Sequence, residues 1–412
     1  MTPTVLHAPA HRFVDLRARL SRARSARAQP RPPAFLVVVV TVAVLNIVGL
    51  VMILSASAVS ALSAYGSSWY FFNRQLMWAL AGTAAFLVTA RLDYRTWARF
   101  APGVYLATLV ALGAVLVPGV GIEVDGARRW LGVGSVRFQP SELAKLALVL
   151  ALAELLTRRA GAIDDARTVL RPVLVLLGAP AALILLEPDL DSTIVLALIV
   201  FAMLVVSGVP NRWLVRLGAS GAGLAVALAL AEPYRRARVF TFLDPWSDTS
   251  NTGYQISQSL IALGSGGIDG VGLGAGRSKW FFLPNAHTDF IFAVIGEELG
   301  LIGCLLVVGL FAGFALVGYQ VARRAPDRAG MLLAVGITTW IAGQAAINLG
   351  AVVGLLPVSG ITLPYLSAGG SSLVFTMAAA GILANIARRT PAPAPAEPPA
   401  RPAPRARAER SR

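Results

Sequence analysis

Lysine is nearly missing from this chain: Lys145 and Lys279 stand alone among 36 basic residues, the rest being arginine. Cysteine occurs once, at Cys304, so no disulfide can form within the chain. The three histidines, His7, His11 and His287, are too few and too scattered for a metal cluster. Charge itself is scarce, at 14% of residues against about 25% in an ordinary soluble domain. With 56% hydrophobic residues, the chain has too little polar surface to cover a water-soluble fold. No cleavable signal peptide is visible, because residues 1–33 are Arg-rich rather than apolar; the first span is expected to serve as an uncleaved insertion signal. Internal repeats and inverted halves are missing too, which weakens transporter readings that depend on them.

What the chain does have is long apolar runs. A span needs roughly 20 apolar residues. Ten stretches qualify, near 34–54, 75–90, 102–118, 141–157, 170–186, 192–208, 213–231, 290–321, 330–349 and 369–387. The pattern predicts an all-α polytopic integral membrane protein of about ten transmembrane helices, with a large extracytoplasmic loop between spans seven and eight. The net charge of +15 lies mostly in the tails and in alternate connections, so it reads as membrane orientation and not as nucleic-acid binding. Residues 1–33 carry seven arginines against Asp15 alone, whereas the connection at 187–191 holds Glu187, Asp189 and Asp191 with no base. Positive-inside therefore places both termini in the cytoplasm. The organisation expected is a basic disordered tail at 1–33, a membrane domain at 34–389 and a Pro/Ala/Arg-rich disordered tail at 390–412. Two outer segments exceed minimal loops, 119–140 and 232–288. The second carries Arg235, Arg236, Arg238, Arg277 and Lys279, which asks for an anionic partner.

Several groups can carry chemistry. Asp289 lies where the outer loop enters a span. A partly desolvated carboxylate there suits a general base, and an aspartate before an apolar run equally suits a helix cap. Glu142 and Lys145 share one helix face at the start of the fourth span, as a structural ion pair or as the lining of a site mouth. Arg128 and Arg129 suit a phosphate or pyrophosphate, or with Trp130 an interfacial anchor. Glu187, Asp189 and Asp191 fit either a divalent cation or a solvated turn. Glu297 and Glu298 can pair with any of the loop bases. Glycine recurs at 264, 266, 267, 270, 272, 274 and 276, without the Gly-Lys-Ser/Thr of a phosphate-binding loop, so a re-entrant turn is favoured over a nucleotide motif.

These stretches resemble the FtsW/RodA family of shape, elongation, division and sporulation (SEDS) peptidoglycan polymerases. The resemblance runs from Leu54-Ser55-Ala56-Ser57 to Asn385. It includes GARRWLGVGSVRFQPSELAKLA at 126–147, EPDLDSTIVL at 187–196, GYQISQSLIALGSGGIDGVGLG at 253–274, LPNAHTDFIFAVIGEELG at 283–300 and LLPVSGITLPYLSAGGSSL at 355–373. It implies a glycosyltransferase that polymerises lipid II on the outer face of the cytoplasmic membrane, with Asp289 at the family's essential aspartate and Glu142 and Lys145 at its buried pair. Arg128, Arg129, Gln255, Ser259, Arg277, Lys279 and His287 are the further substrate-binding candidates it suggests, with Lys145 the first choice to neutralise the leaving pyrophosphate. A divalent cation (Mg or Mn) is an alternative neutraliser. The partners implied are lipid II, a class B penicillin-binding transpeptidase and other divisome membrane proteins, with no nucleic acid.

Two departures from division-type members stand out. Phe281 occupies the position of an acidic residue eight before the aspartate, and Ser359 replaces a lysine found in some members. Ser55-Ala56-Ser57, Pro284-Asn285-Ala286-His287 and the long basic tail fit the division branch. An elongation-type polymerase, a lipid II flippase and a non-catalytic scaffold for the transpeptidase are the competing readings.

Overall fold

The computed structural model of the protein describes residues 33–390 except 125, 135 and 250–252. The tail assignments, apart from Pro33 and Thr390, lie outside the described residues. Ten helices of 18 residues or more are described. They are α1 (Pro33–Tyr65), α2 (Tyr70–Arg91), α3 (Tyr94–Leu116), α4 (Pro140–Arg158), α5 (Ala166–Leu186), α6 (Leu190–Ser207) and α7 (Asn211–Ala231). After two shorter helices, α8 (Pro233–Leu243) and α9 (Tyr254–Ser265), come α10 (Ile291–Arg323), α11 (Arg328–Val352) and α12 (Ser371–Arg389).

Eight of the ten are long and apolar enough to cross a membrane. The other two, α2 and α4, answer to the runs expected at 75–90 and 141–157. Helix α4 carries Glu142, Lys145, Glu154 and Arg158, which lowers its hydropathy, yet it is buried along almost its whole length. Burial among other helices makes Glu142 and Lys145 tolerable as a pair, while Glu154 and Arg158 pair with each other near the exposed end of the helix. Helices α11 and α12 are likewise buried over most of their length, whereas α7 shows almost no buried surface within the chain. The core therefore runs through α4, α11 and α12, with α1 and α2 packed against α12 and α10 against α11.

The outer segment at 119–140, expected to exceed a minimal loop, folds into a three-stranded antiparallel sheet, so the all-α expectation holds for the membrane part. Strands β1 (Ile122–Val124), β2 (Ala127–Val133) and β3 (Val136–Phe138) pair in sequence order, with Glu123 opposite Arg128 and Gly132 opposite Arg137. Its Val, Ile, Trp and Phe content favours the pleated, half-buried surface of a strand.

Helix starts are fixed by aspartates. Asp93, Asp189 and Asp327 accept from the backbone N–H groups of Arg95, Ser192 and Gly330 at 3.0, 3.0 and 2.8 Å, each satisfying an orphan donor of the first turn. At the arginine-rich end, Arg95 binds Asp327 (Nη2–Oδ2 2.7 Å) and Arg389 binds Asp93 (2.7 Å). The sheet, the turn before α10 and the 353–370 segment all gather at the opposite end.

Candidate active site

Asp289 is half-buried in the turn that delivers the chain into α10. The N-cap of that helix is Phe290, not Asp289, so the carboxylate is one residue short of the cap position that the sequence allowed for it. The backbone around it is held from several sides. The Asp289 carbonyl accepts from Asn348 Nδ2 at 2.8 Å, and the same amide nitrogen donates to the Ile361 carbonyl at 2.8 Å. Ser367 Oγ donates to the Thr288 carbonyl, and the Ala368 N–H donates to the His287 carbonyl at 3.0 Å. Helix α11 and the 361–368 segment thus fix the aspartate's backbone. The His287 ring packs on Phe71 with centroids 4.5 Å apart, and burial holds its pKa below the ordinary imidazole value, leaving it neutral at neutral pH.

A small cavity of about 160 Å³ opens beside this turn. His287 and Thr288 line it, together with Arg74, Trp78, Trp130 and Arg137. Asp289 follows its lining residues directly without being one of them. Sequence reasoning singled out neither Arg74 nor Arg137. The signal was present: both are arginines at the site end, where the positive-inside rule does not place them.

The Glu142–Lys145 pair is closed off. Lys145 is 0% exposed, and its ammonium donates to Glu142 Oε1 (2.7 Å) and Gln344 Oε1 (2.8 Å) while facing the Trp340 ring at 5.9 Å. Glu142 Oε2 accepts from Ser372 Oγ at 3.1 Å. The lysine is held by α4 and α11, with Ser372 of α12 on its partner Glu142, and it lines neither cavity, so the geometry makes it the internal counter-ion of Glu142 and not a surface base for an incoming anion.

Lys279 has the same fate. It is 8% exposed and pairs with Glu298 at 3.1 Å, and Glu298 also accepts from Ser55 Oγ at 2.6 Å. Glu297 Oε1 takes the backbone N–H of Arg277 at 2.7 Å, and its other oxygen takes Ser278. Both lysines of the chain are thus spent on buried glutamates; of the two glutamates expected to pair with a loop base, Glu298 does so through Lys279, while Glu297 takes backbone N–H groups and the Ser278 hydroxyl instead.

The glycine-rich stretch pairs backbone to backbone with α10, where the helix breaks at Gly300. Val271 and Gly272 N–H groups donate to the Glu297 and Glu298 carbonyls at 3.0 and 3.1 Å, and Leu301 donates to Gly267 at 2.9 Å. Gly300 has φ +65° and ψ −163°, a conformation open essentially to glycine, and a Cβ there would lie 2.3 Å from the Ile268 carbonyl oxygen. A Gly300→Ala variant is expected to detach the 266–276 segment, read as a lower unfolding temperature and new proteolytic cleavage within that segment; an unchanged digest would contradict this packing.

The remaining candidates separate. Ser259 is 0% exposed and donates to the Val352 carbonyl at 2.8 Å, which makes it a packing contact. Gln255 is half-buried on α9. Arg277 lines a larger cavity of about 690 Å³ with Gln258 and Phe282. Arg129 is drawn onto the backbone carbonyls of Glu187 and Pro188 at 2.8 and 2.7 Å, and Arg128 lies 3.6 Å from Glu123.

In the acidic turn, Asp189 caps α6 and Asp191 accepts the Gly360 N–H at 2.9 Å. Among the described residues no group of three or more His, Cys, Asp and Glu side chains is placed to hold a metal ion. The donor set of this turn therefore does not fit a divalent cation. Glu187 is buried with neither carboxylate oxygen hydrogen-bonded. Burial first, then the nearby Asp189 charge, push its pKa from 4.5 up to about 8. Its folded form holds a proton that the unfolded form has lost, so stability falls as pH rises from about 4.5 to about 8. The slope from this one group is at most about 1.4 kcal/mol per pH unit. Glu187→Gln is expected to flatten that part of the unfolding-temperature profile between pH 5 and 8; an unchanged slope would contradict the assignment.

With this geometry in place, the comparisons are informative. The family model FTSW_RODA_SPOVE, described as a cell cycle protein, matches residues 35–391. A probable peptidoglycan glycosyltransferase FtsW of Geobacter metallireducens is 41% identical over 354 residues, covering 86% of this chain and 94% of that protein. Stage V sporulation protein E of Bacillus subtilis is 42% identical over 356 residues, covering 86% and 97%. Among solved structures, one described as "Structural coordination of polymerization and crosslinking by a peptidoglycan synthase complex" superposes with a TM-score of 0.70 at 31% identity, covering 85% of this chain and 97% of that one. The rod shape determining protein RodA of Thermus thermophilus superposes with a TM-score of 0.63 at 31% identity, covering 86% and 96%.

Proposed function

The chain belongs to the FtsW/RodA/SpoVE family of cell cycle proteins, and from that premise we propose that it is a peptidoglycan glycosyltransferase that polymerises lipid II into glycan strands during cell division. The observation that carries the reading is the placement of Asp289: a half-buried carboxylate on a braced turn, next to a cavity lined by two arginines. Asp289 takes the proton from the 4-hydroxyl of the acceptor sugar. The resulting oxygen nucleophile attacks the anomeric carbon of the donor glycan, the C–O bond to undecaprenyl pyrophosphate breaks, and the α linkage becomes β. Positioned base catalysis contributes roughly a hundred- to ten-thousandfold. The charge that develops on the departing pyrophosphate calls for fixed positive groups.

The arginines at the ends of α2, α4 and α10 and in their connections support an orientation with both termini in the cytoplasm and the Asp289 end outside, in the cytoplasmic membrane. The likeness to a peptidoglycan synthase complex supports a transpeptidase partner of the class B penicillin-binding type. The flippase reading loses ground because transporters carry ionisable groups near the membrane midplane. Here the buried pair Glu142–Lys145 lies in the first two turns of α4, and Lys279, in the segment before α10, pairs with Glu298 about two turns into that helix, just before its break at Gly300.

The test is co-reconstitution with the transpeptidase in proteoliposomes supplied with lipid II. Glycan strands resolved on a gel are the expected result. Movement of lipid II between leaflets with no polymer formed would return the protein to the flippase class.

A further inference from the structure

Three consecutive backbone carbonyls lead into α10, and each is held by a donor from outside that helix. The His287 carbonyl accepts the Ala368 N–H at 3.0 Å, the Thr288 carbonyl accepts the Ser367 hydroxyl, and the Asp289 carbonyl accepts Asn348 Nδ2 at 2.8 Å. The ladder of α10 itself begins one residue later, where the Phe290 carbonyl accepts the Ala293 N–H at 2.9 Å. Helix formation alone therefore does not fix the backbone of Asp289. The turn before it closes on Asn285, whose carbonyl accepts the Thr288 N–H at 3.1 Å. Asn285 has φ +55°, a conformation that asparagine adopts more readily than most residues.

Asn348 is 1% exposed and sits near the end of α11. Its Nδ2 donates to two carbonyls, Asp289 and Ile361, both at 2.8 Å. Because both neighbours are acceptors, the amide can face them only with its nitrogen. Its Oδ1 is left buried with no partner among the described residues. A buried unpaired acceptor costs stability, so packing alone does not account for an amide here. One turn earlier on the same face, Gln344 repeats the arrangement: its Nε2 donates to the Thr362 carbonyl at 2.9 Å and its Oε1 accepts Lys145 Nζ at 2.8 Å. The 361–368 segment is thereby pinned to α11 at Ile361 and Thr362, and to the catalytic turn at Ser367 and Ala368. Hydrogen bonds run from the Glu142–Lys145 pair through Gln344, the 361–362 backbone and Asn348 to Asp289.

We propose that Asn348 is a positioning residue for Asp289: its amide nitrogen ties the aspartate's backbone to the 361–362 segment and so sets where the carboxylate sits relative to the acceptor hydroxyl. This assignment rests on the polymerase reading above. A general base works only within hydrogen-bond reach of the proton it takes, and a displacement of about 1 Å costs on the order of a hundredfold.

The test compares Asn348→Leu, similar in size but with no donor, and Asn348→Ser, which keeps one. Both are made in two backgrounds of the full-length chain co-reconstituted with the transpeptidase and supplied with lipid II. With Asp289 present, Asn348→Leu is expected to slow polymerisation per folded molecule roughly ten- to hundredfold, and Asn348→Ser less. Affinity for lipid II, measured without turnover, should hold, so that the loss falls on kcat and not on KM. In the Asp289→Ala background, formate from solution supplies the base and needs no backbone to aim it. There either Asn348 substitution should change the formate-dependent rate by no more than about twofold. A residue that only stabilised the fold would lower both rates alike. If Asn348→Leu folds poorly, Asn348→Ser carries the same comparison.

Equal losses in the two backgrounds would overturn the proposal, as would wild-type polymerisation by both Asn348 variants. Full-rate polymerisation by Asp289→Ala without formate would instead remove the base reading on which the proposal rests, a result visible with Asn348 intact.

Discussion

Asp289→Asn is expected to lower glycan polymerisation by roughly a hundred- to ten-thousandfold, with folding and partner binding retained. The substitution swaps a carboxylate for an amide of the same shape. It keeps the backbone carbonyl that Asn348 holds at 2.8 Å and leaves the Phe290 N-cap untouched. What it removes is the basic oxygen. A role confined to local structure would survive the change, because asparagine serves turns and caps as well as aspartate does. Glycan strands from the reconstituted complex report the loss, and co-purification with the transpeptidase together with an unaltered unfolding temperature reports the retention. Wild-type polymer yield from Asp289→Asn would mean that another group accepts the proton.

Lys145→Ala is expected to act through the fold. Removing one partner of a buried ion pair strands the other charge, at a cost of about 3–5 kcal/mol. Here the stranded group is Glu142, which is 5% exposed and left with Ser372 as its remaining side-chain partner. Gln344 Oε1 loses one of its two donors in the same change, keeping Trp340 Nε1 at 3.0 Å. The variant should unfold well below the wild type in detergent, with polymerisation falling in parallel. The double variant Glu142→Gln/Lys145→Gln removes both charges and keeps amides that can hydrogen-bond Ser372 and Gln344. It is expected to recover much of the lost stability, so that the double-mutant cycle gives a large coupling between the two positions. If Lys145→Ala instead kept its unfolding temperature and lost affinity for the lipid-linked diphosphate, the ammonium would belong to the binding site after all.

The two variants differ in kind because the two residues differ in what surrounds them. Much of this was legible in the chain. Hydrophobic run length located all ten long helices, since a stretch that must cross lipid or pack among helices has to be apolar over about 20 residues. The i,i+3 spacing of Glu142 and Lys145 announced their pairing, and the Asp-Phe junction after His-Thr placed Asp289 at a helix entrance.

What stayed hidden depends on residues distant in sequence. No local pattern reveals that Gln344 and Ser372, about 200 positions further on, close over the pair, Gln344 on Lys145 and Ser372 on Glu142. The glycine run suggested an anion cradle or a re-entrant turn, and its use as a backbone-to-backbone seam on α10 depends on the break at Gly300. Arg74 and Arg137 escaped notice because each is ordinary by itself. Their meaning arises only when α2 and β3 meet across one cavity and neither finds an acidic neighbour. The sheet at 122–138 was missed because its strands are three to seven residues long and lie between membrane helices, where loops are the default expectation.

Chemical rescue tests the proton transfer most directly. Asp289→Ala removes the carboxylate and leaves a space that a formate ion can enter. In the reconstituted complex supplied with lipid II, the account predicts almost no polymer from Asp289→Ala alone and a polymerisation rate that climbs with added formate, with no such rise in the wild type. Full-rate polymerisation by Asp289→Ala in the absence of formate would contradict it.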